Sequence, residues 1–149
     1  MTAALELVNL TSGYGSSSVV HGVSLEIAPG EILALVGKNG MGKSSLLKTI
    51  LSFLPAWHGE VRLDGRDVTR LAPFRKRALG LAYSPQEQAL FQDLSVRDNL
   101  RLGLSDDRGF EASLSDVSGW FPVLTERLSQ RAGTLSGGEQ KMLIVARGL

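Results

Sequence analysis

The most restrictive feature of the sequence is the glycine-rich segment Gly37-Lys-Asn-Gly-Met-Gly-Lys-Ser44. An uninterrupted apolar run, residues 32–36, comes directly before it, and apolar residues at helical spacing follow it over residues 46–54. The run is typical of a strand buried on both faces of a parallel sheet, and the spacing after the loop is typical of an amphipathic helix. The pattern G-x-x-x-x-G-K-S in this context therefore predicts a phosphate-binding loop between a strand and a helix.

Each residue type in this loop has a physical reason to contact phosphate. Glycines let the backbone turn sharply, so that successive N–H groups and the positive end of the helix dipole converge on phosphate oxygens. We expect Lys43 to place its charge on the β- and γ-phosphates and the Ser44 hydroxyl to bind Mg²⁺. The predicted nucleotide-binding residues of the loop are Gly37, Lys38, Asn39, Gly40, Met41, Gly42, Lys43, Ser44 and Ser45. The loop alone does not choose among kinases, GTPases, motor ATPases and transport ATPases, because they share it.

The composition excludes several kinds of binding site and a membrane-spanning helix. Sixteen Lys and Arg against fifteen Asp and Glu give a net charge of +1, so no broad basic surface for nucleic acid is expected. The sequence has no cysteine and two histidines, which excludes disulfides, thiolate zinc sites and thiol nucleophiles. The longest apolar runs have five residues, whereas a membrane-spanning helix needs about 18 or more. We therefore expect a cytoplasmic chain that binds no nucleic acid.

Alternating and apolar segments predict the strands. Residues 5–10 and 23–27 alternate between apolar and polar positions, which is typical of half-buried strands in an N-terminal antiparallel sheet. Residues 59–65 indicate a short strand that ends in an Asp-Gly turn. Residues 79–83, like residues 32–36, are expected to form a strand of a parallel core.

Two further stretches are predicted to be helical. Residues 70–79 have the spacing of an amphipathic helix, and its basic run Arg75-Lys76-Arg77 is interpreted as a solvated face. Residues 95–131 are mostly polar with a helical pattern, broken by glycines and a proline, which indicates a helical insertion.

A second glycine cluster, Leu135-Ser-Gly-Gly-Glu-Gln140, precedes another helical pattern. Met142, Val145 and Ala146 fall on one face of that helix, and Ser136 is a favourable N-cap. The first turn of a helix exposes unpaired N–H groups and attracts anions. The sequence thus contains a second segment suited to contact a phosphate.

Together with the phosphate loop, this cluster makes the sequence resemble the nucleotide-binding subunits of ABC transporters, whose signature motif is LSGGQ or LSGGEQ. The resemblance extends over the whole chain. It implies that Tyr14 stacks on adenine, although an ordinary surface aromatic is also compatible with that position. It also implies that Gln86 contacts Mg²⁺ and the attacking water, so that Lys43 and Gln86 are the candidate catalytic residues. The residues implied to contact ATP bound by a partner subunit are Leu135, Ser136, Gly137, Gly138, Glu139 and Gln140.

The resemblance also implies a fold and an assembly. The fold is an α/β P-loop NTPase of the ABC ATPase type, with an N-terminal antiparallel β subdomain, a partial RecA-like core and a helical subdomain. Residues 1–94 would contain the β subdomain and the core, residues 95–134 the helical subdomain, and residues 135–149 the signature motif and its helix. The implied ligands are ATP and Mg²⁺. The implied partners are a second ATPase subunit, membrane permease subunits and, indirectly, a periplasmic or extracellular solute-binding protein, at the inner face of the cell membrane.

The solute class follows from finer similarities. Residues 120–127 and 130–142 resemble the ATPases of branched-chain amino-acid uptake systems, and urea and amide importers carry close relatives. A soluble ATPase of DNA repair or translation fits less well, because the chain has one phosphate loop and no sustained heptads.

In the family, an apolar strand ending in Asp-Glu follows the signature helix, and a histidine that contacts the γ-phosphate comes later. This sequence reaches Leu149 without either, so we expect it to be the front part of a larger domain. Two alternatives stay open, an ATPase subunit that powers solute import and a catalytically inactive fragment that binds nucleotide. For the isolated chain we expect no ATP hydrolysis and a tendency to aggregate, because its core strands would lack partners.

Overall fold

The computed structural model describes residues 2–85, 90–104 and 107–148. The chain divides into two compact units, Met1–Leu81 and Ala82–Leu149, and each unit has its own apolar core. The candidate catalytic residue Gln86 lies outside the described residues. The subdivision at residues 94 and 134 stays a prediction.

The described part of the first unit is built on one antiparallel sheet. Its strands are β1 (Leu5–Tyr14), β2 (Ser17–Ile27), β3 (Ala56–Leu63) and β4 (Arg66–Asp67). The strand order is β2-β1-β3-β4, so β1 pairs on both of its edges. Gly15, with φ at +57°, forms the tight turn between β1 and β2. The predicted N-terminal antiparallel sheet is therefore confirmed.

Two helices accompany this sheet, α1 (Lys43–Ile50) and α2 (Pro73–Ala78). Helix α1 ends one turn earlier than the apolar spacing predicts, because Ser52 takes a left-handed φ of +61° and the Phe53 N–H bonds back to the Lys48 carbonyl at 2.8 Å. The apolar side of α1 packs against β1 and β2. The buried core of the unit consists of Leu7, Leu10, Val20, Leu46, Ile50, Val61 and Val68.

Lys76 corrects the interpretation of the basic run on α2. Arg75 and Arg77 are exposed, as expected of a solvated face, but Lys76 between them is completely buried. Its Nζ donates a hydrogen bond of 2.5 Å to the carbonyl oxygen of Ile50 at the end of α1. Burial lowers the pKa of Lys76 to about 8, and the negative charge of Asp67 opposes this shift. The helical period turns Lys76 towards the end of α1, away from the solvated side that carries Arg75 and Arg77.

The prediction of core strands at residues 32–36 and 79–83 is wrong for this structure. Neither segment joins a strand ladder, and Ile32 and Val36 are 95% and 86% exposed. A strand of a parallel sheet is stabilised by neighbours on both edges and by helices on its faces. Among the described residues the sheet is antiparallel and uses other segments, and residues 32–36 belong to none of its strands.

The second unit is helical, as predicted for residues 95–131. Its helices are α3 (Val96–Arg101), α4 (Phe110–Trp120), α5 (Pro122–Thr125) and α6 (Gly137–Ala146). Their buried core consists of Val96, Leu100, Phe110, Val117, Leu124, Ala132, Leu135, Leu143 and Ala146. Within the described ranges, no helix has both the length and the apolar character needed to cross a membrane.

Asn99 anchors the loop before α3 from inside this core. The residue is fully buried, and its Nδ2 donates to the carbonyl oxygens of Phe91 at 2.9 Å and Ser95 at 3.0 Å. Its Oδ1 accepts the Phe91 N–H at 3.0 Å. One amide side chain thus bonds to backbone groups at both ends of residues 91–95 and fixes this loop against α3.

Candidate functional site

The glycine loop is seated on the edge of the antiparallel sheet. Gly42 is the N-cap of α1 and has φ at +86°, a left-handed conformation that favours glycine. A Cβ atom at this position would lie 2.8 Å from the carbonyl oxygen of Val19 in β2. The third glycine of the motif is therefore required both by its backbone angle and by the close approach of β2.

Lys43 holds the loop in shape from within. Its Nζ donates hydrogen bonds of 2.7 Å to the carbonyl oxygens of Gly37 and Lys38, at the opposite end of the loop. Lys43 is also the first residue of α1, and the Leu46 N–H closes the first helical turn on the Gly42 carbonyl at 2.8 Å. The ammonium group thus connects the start of α1 to the opposite end of the loop, and the N–H groups of the first helical turn have no acceptor within the helix.

The surroundings of the loop suit a phosphate group. Ser44, Lys38, Asn39, Gly40 and Met41 are all exposed, so an anion can approach the loop from solvent. A cavity of about 720 Å³ opens beside it, with Val20, Leu35 and Leu46 among its apolar walls. The described residues contain no cluster of three His, Cys, Asp or Glu. Within this loop, the Ser44 hydroxyl is the side-chain oxygen expected to contact a divalent metal, together with the phosphates themselves.

Tyr14 lies at the hairpin end of β1, where it pairs with Ser17 of β2. The side chain is 50% exposed. Two residues further along β2 is Val19, whose carbonyl approaches Gly42. The hairpin therefore brings Tyr14 to the same end of the sheet as the glycine loop and leaves the tyrosine accessible.

The second glycine cluster begins α6 with a reciprocal cap. The Ser136 Oγ accepts the Glu139 N–H at 3.3 Å, and the Glu139 Oε2 accepts the Ser136 N–H at 2.8 Å. Leu135 is buried in the helical core and Gln140 donates to its carbonyl oxygen at 3.1 Å, whereas Gly137 and Gly138 are exposed. The cluster is anchored at both ends and presents its two glycines to solvent.

Glu139 also has a partner that the sequence pattern does not reveal. Its Oε1 forms an ion pair with Arg127, which follows α5, and the Arg127 Nη1 lies 2.9 Å from that oxygen. The hydrogen bonds from Ser136, and then the charge of Arg127, hold the pKa of Glu139 below its usual value. The serine and glutamate three residues apart could have predicted the cap, whereas no local spacing indicates Arg127.

The glycine loop, the lysine bound within it and the helix that follows define a nucleotide-binding protein of the P-loop class. Within that class, the second glycine cluster at residues 135–140 indicates the ABC transporter family. Comparison with known proteins identifies the same family. The chain belongs to the ABC transporter family, whose family model matches residues 20–149.

Two relatives act in amino-acid transport according to their names. The high-affinity branched-chain amino acid transport ATP-binding protein BraG of Pseudomonas aeruginosa is 37% identical over 147 residues, which cover 97% of this chain and 63% of BraG. The probable branched-chain amino acid transport ATP-binding protein LivF of Archaeoglobus fulgidus is also 37% identical, over 97% of this chain and 62% of LivF. This chain therefore spans less than two thirds of the length of these relatives.

Solved structures give the same fold. A nucleotide-free ATP-binding cassette from an ABC transporter has a TM-score of 0.88 and 25% identity, and the match covers all of this chain and 65% of that one. The ADP conformation of an ATP-binding cassette has the same TM-score and coverage at 24% identity. The predicted family and fold class are confirmed, whereas the expectation that the chain is inactive is not borne out by these comparisons.

Proposed function

We propose that this chain binds MgATP as part of the ATP-binding subunit of an ABC importer and that it takes part in ATP hydrolysis coupled to solute uptake. The observation that carries this proposal is the Lys43 ammonium group, held 2.7 Å from two carbonyl oxygens inside the glycine loop. A cation fixed at this point, next to a helix N-terminus, is suited to a polyphosphate.

The residues of the loop have separate roles in this proposal. The N–H groups of the loop and of Ser45 donate to phosphate oxygens, and Lys43 turns from the loop carbonyls to the β- and γ-phosphates. The Ser44 hydroxyl binds Mg²⁺, which would neutralise charge on those phosphates. Gln86 is proposed to contact the metal and the attacking water. Tyr14, half exposed at the end of the hairpin, offers a ring face for adenine.

The signature cluster is proposed to act on a nucleotide held by a second subunit. Ser136, Gly137 and Gly138 would approach the γ-phosphate of that ATP, which gives a head-to-tail dimer with two bound nucleotides. The exposure of both glycines and the reciprocal cap of α6 support this arrangement.

The remaining partners and the solute are proposed from the relatives. The names of BraG and LivF favour branched-chain amino acids as the transported solute, with urea or an amide as the alternative. The proposed partners are membrane permease subunits at the inner face of the cell membrane and, through them, a solute-binding protein.

Titration with a fluorescent ATP analogue and measurement of phosphate release test the proposal. Loss of the charge-assisted contacts of Lys43 should weaken binding about 10- to 100-fold in Lys43→Ala. The matched control is Lys48→Ala, an exposed lysine of the same helix. Equal binding by wild type and Lys43→Ala would contradict the proposal. Lys43-dependent binding without phosphate release would favour the alternative, an inactive nucleotide-binding chain.

A further inference from the structure

The start of α6 already contains a negative charge. The Glu139 side chain is only 16% exposed, and its Oε2 accepts the Ser136 N–H within the signature cluster. A carboxylate here interacts with the same positive helix end that would attract a phosphate. Without compensation, Glu139 would repel the anion that this cluster is proposed to bind.

Arg127 supplies the compensation. Its Nη1 lies 2.9 Å from the Glu139 Oε1, on the other oxygen from the one that accepts the Ser136 N–H. The two carboxylate oxygens are therefore divided between the cap and the cation, so the ion pair leaves the cap intact.

The backbone of Arg127 is held in place by its surroundings. Its N–H donates to the Leu124 carbonyl at 3.2 Å, and its carbonyl accepts the Gln130 N–H at 2.9 Å. Leu124 is completely buried in the helical core. The arginine therefore reaches the signature cluster from a turn that is anchored to that core.

We propose that Arg127 is a positioning residue of the signature cluster, which neutralises Glu139 so that the N–H groups of Gly137 and Gly138 can donate to a phosphate of ATP held by a second copy. This inference rests on the proposed function of the cluster. It requires that the charge of Arg127, and not merely its bulk, affects the bound nucleotide.

Variants that remove a charge distinguish an effect of the Arg127 charge from an effect of its bulk. The measurement is ATP-dependent self-association, followed by sedimentation. Arg127→Gln leaves Glu139 uncompensated and should weaken association about 2- to 5-fold, the size of helix-terminus charge effects. Glu139→Gln keeps an oxygen for the cap but leaves Arg127 in excess, and should strengthen association by a similar factor. The double variant should return to the wild-type value, because the charge balance is restored.

The matched control is Arg131→Gln, which removes an equal charge from an exposed position and should leave association unchanged. Arg127→Lys retains the charge and should retain most of the association. Far-UV circular dichroism of each variant confirms that α6 is formed.

Other patterns would overturn the inference. If both single variants weaken association, the pair only stabilises the fold. If the double variant stays as weak as Arg127→Gln, or if Arg127→Gln has no effect, the charge of Arg127 does not act through Glu139. If wild type and Lys43→Ala associate identically with and without ATP, the proposed function fails, and the inference fails with it.

Discussion

Replacement of Lys76 by methionine tests the consequence of burying its ammonium group. Lys76 is completely buried, and burial lowers its pKa from 10.5 to about 8. At about 1.4 kcal/mol per pKa unit, a charged Lys76 opposes folding by on the order of 3 kcal/mol below pH 8. Methionine removes this cost but leaves the Ile50 carbonyl without its donor, a loss of about 1 kcal/mol. We expect Lys76→Met to be more stable than wild type by about 2 kcal/mol at pH 7.

The pH dependence of this difference has a definite sign. Between about pH 8 and pH 10.5, the unfolded chain keeps the Lys76 proton and the folded chain releases it, so the wild type gains stability as the pH rises. Below pH 8 the side chain is charged in both states, and the difference between wild type and variant stays constant. The advantage of Lys76→Met should therefore disappear by pH 10.

Urea unfolding at pH 7, 8.5 and 10, followed by tryptophan fluorescence, measures the free energy of unfolding of both proteins. Lys48→Met is the matched control, since it removes an exposed lysine from the helix that Lys76 caps. A difference between wild type and Lys76→Met that is identical at pH 7 and pH 10 would refute the reasoning, because the ammonium group would then be hydrated in the folded chain.

Three further substitutions test other parts of the structure. Gly42→Ala should abolish binding of the ATP analogue and lower the free energy of unfolding by about 1–2 kcal/mol, because φ is +86° and the new Cβ would meet the Val19 carbonyl; wild-type binding would show that the loop is not built as described. Asn99→Leu should lower the free energy of unfolding by about 2 kcal/mol, because it leaves the Phe91 N–H without an acceptor and removes the hydrogen bonds of the amide to the Phe91 and Ser95 carbonyls; a change below about 1 kcal/mol would mean that water replaces the amide. Ile32→Lys should slow the rise of light scattering on incubation at 37 °C, because it interrupts an exposed apolar run; unchanged scattering would place the aggregating surface elsewhere.

Local patterns predicted the parts of the site that depend on neighbours in sequence. The glycine loop and α1 follow from a strict motif and helical spacing, and the cap of α6 follows from Ser136 and Glu139, three residues apart. In these segments each backbone conformation is determined by residues within one or two turns.

The parts that depend on distant partners could not be predicted in this way. Lys76 has the same charge as Arg75 and Arg77, and only its direction on α2 relative to Ile50 makes it a buried residue. Residues 32–36 have the composition of a buried strand. A strand also needs neighbouring strands to pair with, and the composition of one segment does not specify those neighbours. Arg127 follows α5 and Glu139 lies in α6, so their ion pair depends on how these two helices pack and has no local sequence pattern.

The hydrogen bonds of Lys43 to Gly37 and Lys38 make ligand binding an exchange. The lysine must leave two carbonyl oxygens before it can bind a phosphate, so an incoming anion competes with the protein's own backbone for one cation. A small anion that reaches only one side of the loop gains little from this exchange, whereas a chain of phosphates can take the lysine and the helical N–H groups together. If ATP binds here as proposed, the resting loop would favour long, highly charged anions before any other part of the nucleotide is recognised.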